Sequence, residues 1–396
     1  MSAQYLFTYS DVIERLEYFA RGLGVGADQT LRREAIRAAY RHIPQERNWS
    51  FLHSNARLVM HAPQTTGIVS FDLTGGLYER MLTLTGATWP TWTQDASVRL
   101  GDPPIVCDVD ECKTSTIITL DRTMCPVEDI TSTTYTLYPR WYALPNDFLS
   151  LAHPMDEDTW TLGLPLSKEE IEQLNRFEDT TGSIEFYAIG SPLDLYGRMA
   201  LYRHPPADDD ETLDIPYIRR PRDIVWTGYD LSLDAKGTIT VTEGFTTVTG
   251  SGTAFESGMI GSILRIGTSS SARPSGLSGT ERYGEQQSIK SVASTTSMTL
   301  SAPVATSRVG VMYRITDPID LDIAVYDAFV RRCELELSML MKDRAAIDVA
   351  MTAYASALRS AKQGDFRIYQ PQVAGLPRKP VGRLADSPLS RRTVVE

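Results

Sequence analysis

Two stretches of this chain read as one β unit written twice, and that duplication limits the fold more than any other feature. The first runs from Thr66 to Tyr138 and the second from Lys236 to Thr316. Each opens on a glycine-led β run, Gly67-Ile68-Val69-Ser70 and Gly237-Thr238-Ile239-Thr240. Each continues through a small turn ending in an aromatic, Gly86-Ala87-Thr88-Trp89 and Gly252-Thr253-Ala254-Phe255. Then come Ser97-Val98-Arg99-Leu100-Gly101 and Ile263-Leu264-Arg265-Ile266-Gly267, a Thr-Leu strand (Thr119-Leu120; Thr299-Leu300), and a closing strand (Tyr135-Thr136-Leu137; Tyr313-Arg314-Ile315). Order is kept while loop length varies, the mark of a repeated unit with variable tips. Trp89 is expected to plug its module core as Phe255 does in the copy.

The flanks read as helical. Thr8-Tyr9-Ser10-Asp11 has capping-box spacing with Asp in place of Glu, followed by Val12, Ile13, Leu16, Phe19, Ala20 and Leu23 at helical spacing. Gly22, Gly24 and Gly26 are expected to end that helix. Asp28 can cap a second helix with Leu31, Ala35, Ile36, Ala39, Tyr40 and Ile43 on one face. Its other face carries Arg33, Arg37 and Arg41, which is either a solvated face or a subunit-contact face. Near the C-terminus, Ile323, Tyr326, Val330, Cys333, Leu337 and Leu340 step by three or four, as do Ile347, Met351, Tyr354 and Leu358. The short Met341–Arg344 link makes them an antiparallel hairpin ended by Gly364.

The expected fold class is therefore α+β: terminal helices forming one helical bundle, with two inserted, duplicated small β domains. The divisions are 1–50 (N-terminal helices), 51–140 (first β module), 141–235 (connecting region), 236–316 (second β module), 317–363 (C-terminal hairpin) and 364–396 (extended arm). Ser167-Lys168-Glu169-Glu170 opens a short helix in the connecting region.

No chemistry-bearing motif emerges. The five histidines show no His-x-x-x-His pair, and neither a nucleophile elbow nor a Walker loop occurs. Asp108, Asp110 and Glu111 lie near Cys107 and Cys112 without calcium-loop spacing, and Asp208-Asp209-Asp210-Glu211 reads as an exposed acidic turn. Trp92 has no counterpart in the second copy, and a sugar platform is one use for it. No enzyme, cofactor or metal is expected. The four cysteines read as free thiols. Met1–Tyr5 lacks a basic region and an apolar core, so no secretory signal is expected, and no apolar run is long enough for a membrane helix. A net charge of −11 argues against a dedicated nucleic-acid binder.

The segment Tyr135–Phe148, ending Leu144-Pro145-Asn146-Asp147-Phe148, resembles the strand and "LP-x-DF" passage of head-to-tail adaptor (connector) proteins of tailed bacteriophages. Leu201-Tyr202-Arg203-His204-Pro205-Pro206 and Tyr217-Ile218-Arg219-Arg220-Pro221 are similar to that family's proline-rich passages. The resemblance implies a non-catalytic virion protein of the neck, assembled in the host cytoplasm as a ring, commonly of twelve subunits. Its partners would be the portal protein, a tail or nozzle protein and other copies of itself. Genomic DNA would pass through the channel without specific binding, and the −11 charge repeated around such a ring would make its wall electronegative. Arg378, Lys379, Arg383, Leu384, Leu389, Arg391 and Arg392 would form a portal-docking arm. A competing expectation is a tail or fibre hub whose β modules bind host surface glycans.

Overall fold

A computed structural model describes residues 7–22, 28–152, 163–178, 180–192, 198–230, 232–274 and 282–369. The chain opens with α1 (Tyr9–Gly22) and α2 (Gln29–His42), the latter capped by the Asp28 side chain on the Thr30 N–H. Strand β1 (His53–Met60) follows. The first module then contributes β2 (Ile68–Asp72), β3 (Met81–Thr85), β4 (Ala96–Leu100), β5 (Ile105–Cys112), β6 (Ile117–Leu120), β7 (Ile130–Thr133) and β8 (Tyr135–Pro139). The connecting region holds β9 (Tyr142–Ala143), β10 (Phe148–Leu151), β11 (Leu164–Pro165), α3 (Lys168–Phe177), β12 (Phe186–Gly190), β13 (Ala200–His204) and β14 (Glu211–Arg219). The second module contributes β15 (Thr238–Val241), β16 (Thr247–Ser251), β17 (Ile263–Gly267), β18 (Tyr283–Ser294), β19 (Ser297–Leu300), β20 (Arg308–Val311) and β21 (Tyr313–Thr316). Helices α4 (Ile323–Met341) and α5 (Arg344–Tyr369) end the described chain.

The two modules are seven-stranded sheets with the same strand order. The first runs β7-β2-β3-β6-β5-β4-β8 and the second β20-β15-β16-β19-β18-β17-β21. In both, the two edge strands are separated by a single residue, Thr134 or Met312. The sheet must therefore curl until its edges meet, giving a half-barrel around its own core. Bulges interrupt equivalent ladders, between Val69 and Phe71 in one and Ile239 and Val241 in the other, and bulges bend strands. Trp89 and Phe255 fill equivalent core places, each edge-on to a closing-strand tyrosine: Tyr135 at 5.3 Å and Tyr313 at 5.7 Å. Both tyrosine hydroxyls donate to the carbonyl of the module's first residue, Thr66 and Lys236.

The expected architecture of a terminal helical bundle carrying two β insertions is corrected by this structure. The chain is mostly β: 21 strands in four sheets among the described residues, against five α-helices. The two C-terminal helices are a hairpin and do not form a bundle with the N-terminus. Apolar residues of α1, α2, α4 and α5 do meet in one cluster, but Trp49, Leu52, Ala152, Ile218 and Ile319 close it from outside the helices. The first turn of α1 belongs to the second module's edge, where the Tyr9 N–H donates to the Asp317 carbonyl. Helical periodicity reveals which face is buried but not what covers it, and here β structure covers much of it.

Two boundaries also differ from expectation. Strand β1, in the span assigned to the first module, pairs instead with β14 in a three-stranded sheet, β1-β14-β10. Gly364 does not end α5, which continues to Tyr369. A glycine inside a helix costs only about 1 kcal/mol, too little to stop one held by tertiary contacts. Those contacts are present: Asp365 accepts from the Ser50 N–H at 2.9 Å and lies 3.5 Å from Arg47.

Candidate functional site

Each module places one arginine at the same strand position, Arg99 on β4 and Arg265 on β17, and both are buried. Burial of a guanidinium demands charged or carbonyl partners. The two copies find different ones. Arg99 donates to the Asn175 and Glu178 carbonyls at 2.9 and 2.7 Å, at the C-terminal, electronegative end of α3. Arg265 forms a two-pronged pair with Asp11 in the first turn of α1, at 2.9 and 2.7 Å. One repeated residue thus anchors one half-barrel to α3 and the other to α1. In the sequence both arginines read as strand ends, and nothing beside them in the chain marks them as buried. The available signal was their recurrence at the same place in both copies.

The α3 anchor extends into a polar network. Asn175 donates to the Arg203 carbonyl, and its side-chain oxygen meets His204 Nδ1 at 2.7 Å. His204 Nε2 lies 3.2 Å from the Glu178 carboxylate. The proposed capping box of α3 is complete in both directions, Ser167 to Glu170 and back.

The passages that carried the family resemblance meet in space. Strand β10 pairs with β14, so Phe148 opposes Arg219 and stacks on Tyr217 at 5.7 Å. The Tyr217 hydroxyl donates to Asp147 at 2.9 Å, and the Arg220 N–H donates to the Asp147 carbonyl. Arg219 grips Asp320, just ahead of α4, through both carboxylate oxygens. Burial alone would raise the Asp320 pKa, but the hydrogen bonds from Arg219 and the Arg222 N–H hold it below the usual carboxylate range.

Other singled-out residues resolve as follows. Asp108 accepts from Ser97 and sits 3.2 Å from Arg140 and 3.6 Å from Arg176, so it is engaged by cations. Among the described residues no group of His, Cys, Asp and Glu is arranged to hold a metal. All four cysteines are free, and burial raises the Cys107 thiol to about 12. Trp92 stacks on His61 at 5.6 Å, and with Trp141 and Tyr142 it lines a cleft of about 290 Å³ between the first module and β1. On α2, Arg37 and Arg41 are exposed and Arg33 is half-buried, and none has a carboxylate within 4.0 Å among the described residues. The arm residues Arg378, Lys379, Arg383, Leu384, Leu389, Arg391 and Arg392 lie outside the described residues. No described helix is long and apolar enough to cross a membrane.

Comparison with known proteins finds no matching family model, no matching curated protein and no matching solved structure.

Proposed function

We propose that this chain is a structural subunit of a phage head-to-tail adaptor ring, joining the portal to the tail around the DNA exit channel. The observation that carries this reading is the junction of Leu144–Phe148 with Tyr217–Pro221. These passages resemble adaptor passages separately, lie about 70 positions apart, and meet where the neighbouring strands β10 and β14 pair, clasped by Tyr217, Asp147 and Arg220. Arg219 then ties that sheet to the segment entering α4. Such a joint suits a part that transmits load between a β platform and a helical hairpin. The ring would bind portal on one side and a tail or nozzle protein on the other. The test mixes the purified protein with portal rings and images the mixture by negative stain. A collar of added density on the portal is expected; bare portals at saturating protein would overturn the reading.

A second reading, a tail or fibre hub that binds host glycans, is favoured by the Trp92 cleft, since aromatic faces with polar neighbours suit sugar rings. Under it, a glycan array probed with the labelled protein gives signal that Trp92→Ala removes.

A further inference from the structure

We infer that the arginine stripe of α2 docks on the acidic β13–β14 turn of a second copy of this chain, in a head-to-tail contact. This deepens the ring reading and rests on it. Arg33, Arg37 and Arg41 recur every four residues, so they share one helix face over about 12 Å. Arg32, one position off the stripe, is already paired with Glu17, which shows how readily a carboxylate is recruited on this helix. The stripe itself has none within 4.0 Å among the described residues. In a chain of net charge −11, the adjacent exposed cations Arg37 and Arg41, with no carboxylate at ion-pair distance among the described residues, are a local exception, whereas Arg33 acts on Asp230 from farther off.

The complementary surface is at the other end of the same sheet. Asp208, Asp209, Asp210 and Glu211 are all exposed. Asp210 is partly engaged, accepting from the Ala62 N–H at 2.9 Å, and Glu211 pairs with Arg203. Asp208 and Asp209 have no cation within 4.0 Å among the described residues. Helix α2 sits at the opposite end of the β1–β14 ladder, where the Tyr40 hydroxyl donates to the Arg222 carbonyl and Ile36 shares a core with Ile218. The ladder runs from His53 opposite Ile218 to Met60 opposite Glu211. That is seven steps, or about 23 Å of strand. The two surfaces are thus fixed apart by a rigid ladder and do not neutralise each other within one chain. Between copies they can, and a contact joining unlike surfaces closes into a ring when its rotation permits. The overall negative charge repels copies in other orientations, so this pairing also sets direction.

Charge exchange tests the contact. Sedimentation velocity is run on full-length wild type, on Arg37→Glu/Arg41→Glu and on Asp208→Lys/Asp209→Lys, each checked for fold by circular dichroism. Wild type should self-associate, more weakly as salt rises from about 0.05 M to about 0.5 M. Each reversed variant alone should associate at least about tenfold more weakly. Mixed in equal amounts they should regain association, because each meets an opposite charge on the other. If a glutamate variant misfolds, Arg37→Gln/Arg41→Gln takes its place: alone it should weaken association, and mixed with the lysine variant it should pair through its own Asp208–Asp209 turn and the other copy's intact arginine stripe. Assembly by both reversed variants as tight as wild type overturns this contact and leaves the ring reading standing, as does loss without rescue on mixing. A wild type that stays monomeric at every concentration overturns the ring reading and this contact with it.

Discussion

Arg265 and Asp11 are 254 positions apart, and each side chain is almost wholly enclosed. Removing one member of such a pair strands the other charge without water, which costs about 3–5 kcal/mol, whereas replacing both with apolar residues of similar volume costs far less. Asp11→Ala should therefore lower the urea midpoint sharply, and Arg265→Met combined with Asp11→Leu should recover most of it. Equal losses in the single and double variants would refute the account. Asp320 supplies a pH test. Its pKa is held below the unfolded value, so its contribution is present above about pH 4 and lost as pH falls through the folded value. Urea midpoints followed from pH 7 down to pH 3 should drop more steeply for wild type than for Asp320→Asn. At this scale the sequence was a partial guide. It showed where the arginines stood, but burial of a charge depends on residues hundreds of positions away.

At the scale of elements, the duplicated module was the most legible part, because its β runs and turn residues recur in the same order. Gly237 illustrates why particular letters recur. Its φ is +78°, and a Cβ there would lie 2.2 Å from the Ser251 carbonyl oxygen across β15–β16. Gly67 repeats this with φ +99° and the Thr85 carbonyl at 2.7 Å. Gly237→Ala should destabilise the second module by more than about 1 kcal/mol, read by thermal unfolding. Gly364→Ala should do the opposite. Its added Cβ would meet the Ala324 Cβ at 3.5 Å, an ordinary contact, and helix propensity gains up to about 1 kcal/mol. A loss of stability there would mean α5 is strained at that turn. On α4, Leu337 is fully buried, and Leu337→Ala should cost about 2–5 kcal/mol in chemical denaturation.

At the scale of the whole molecule, the terminal helices are attachments to a β framework. Helix α5 is tied to the segment ahead of β1: Arg47 donates to the Lys362 carbonyl at 2.9 Å, the Tyr354 hydroxyl to Glu46 at 3.0 Å, and Ser50 to Asp365. A cut after Gly364 removes Asp365, which takes away the acceptor of Ser50 and the carboxylate beside Arg47 while leaving the Arg47 bond to the Lys362 carbonyl. A cut after Tyr369 keeps every one of these bonds. The shorter protein should melt several degrees below the longer one, which should match full length in differential scanning calorimetry. The longer one is then the proper chain for asking whether residues 370–396 carry portal attachment, and loss of the collar on that chain alone assigns docking to the arm.

The sequence by itself determined that one β unit occurs twice, the helix caps at Asp28 and Ser167, and most of the apolar faces of the terminal helices, although Ile323, Leu340 and Met351, expected on those faces, are exposed. Each of these depends on residues within a few positions or on a pattern repeated along the chain. Only the tertiary structure decided that β1 leaves the first module for β14, that α5 runs past Gly364, and that Arg99 and Arg265 anchor to different helices. It also decided that the chain is organised by β-sheets and not by a helical bundle. Those outcomes turn on which distant surface covers an apolar face or meets a buried charge, and local spacing carries no record of the partner.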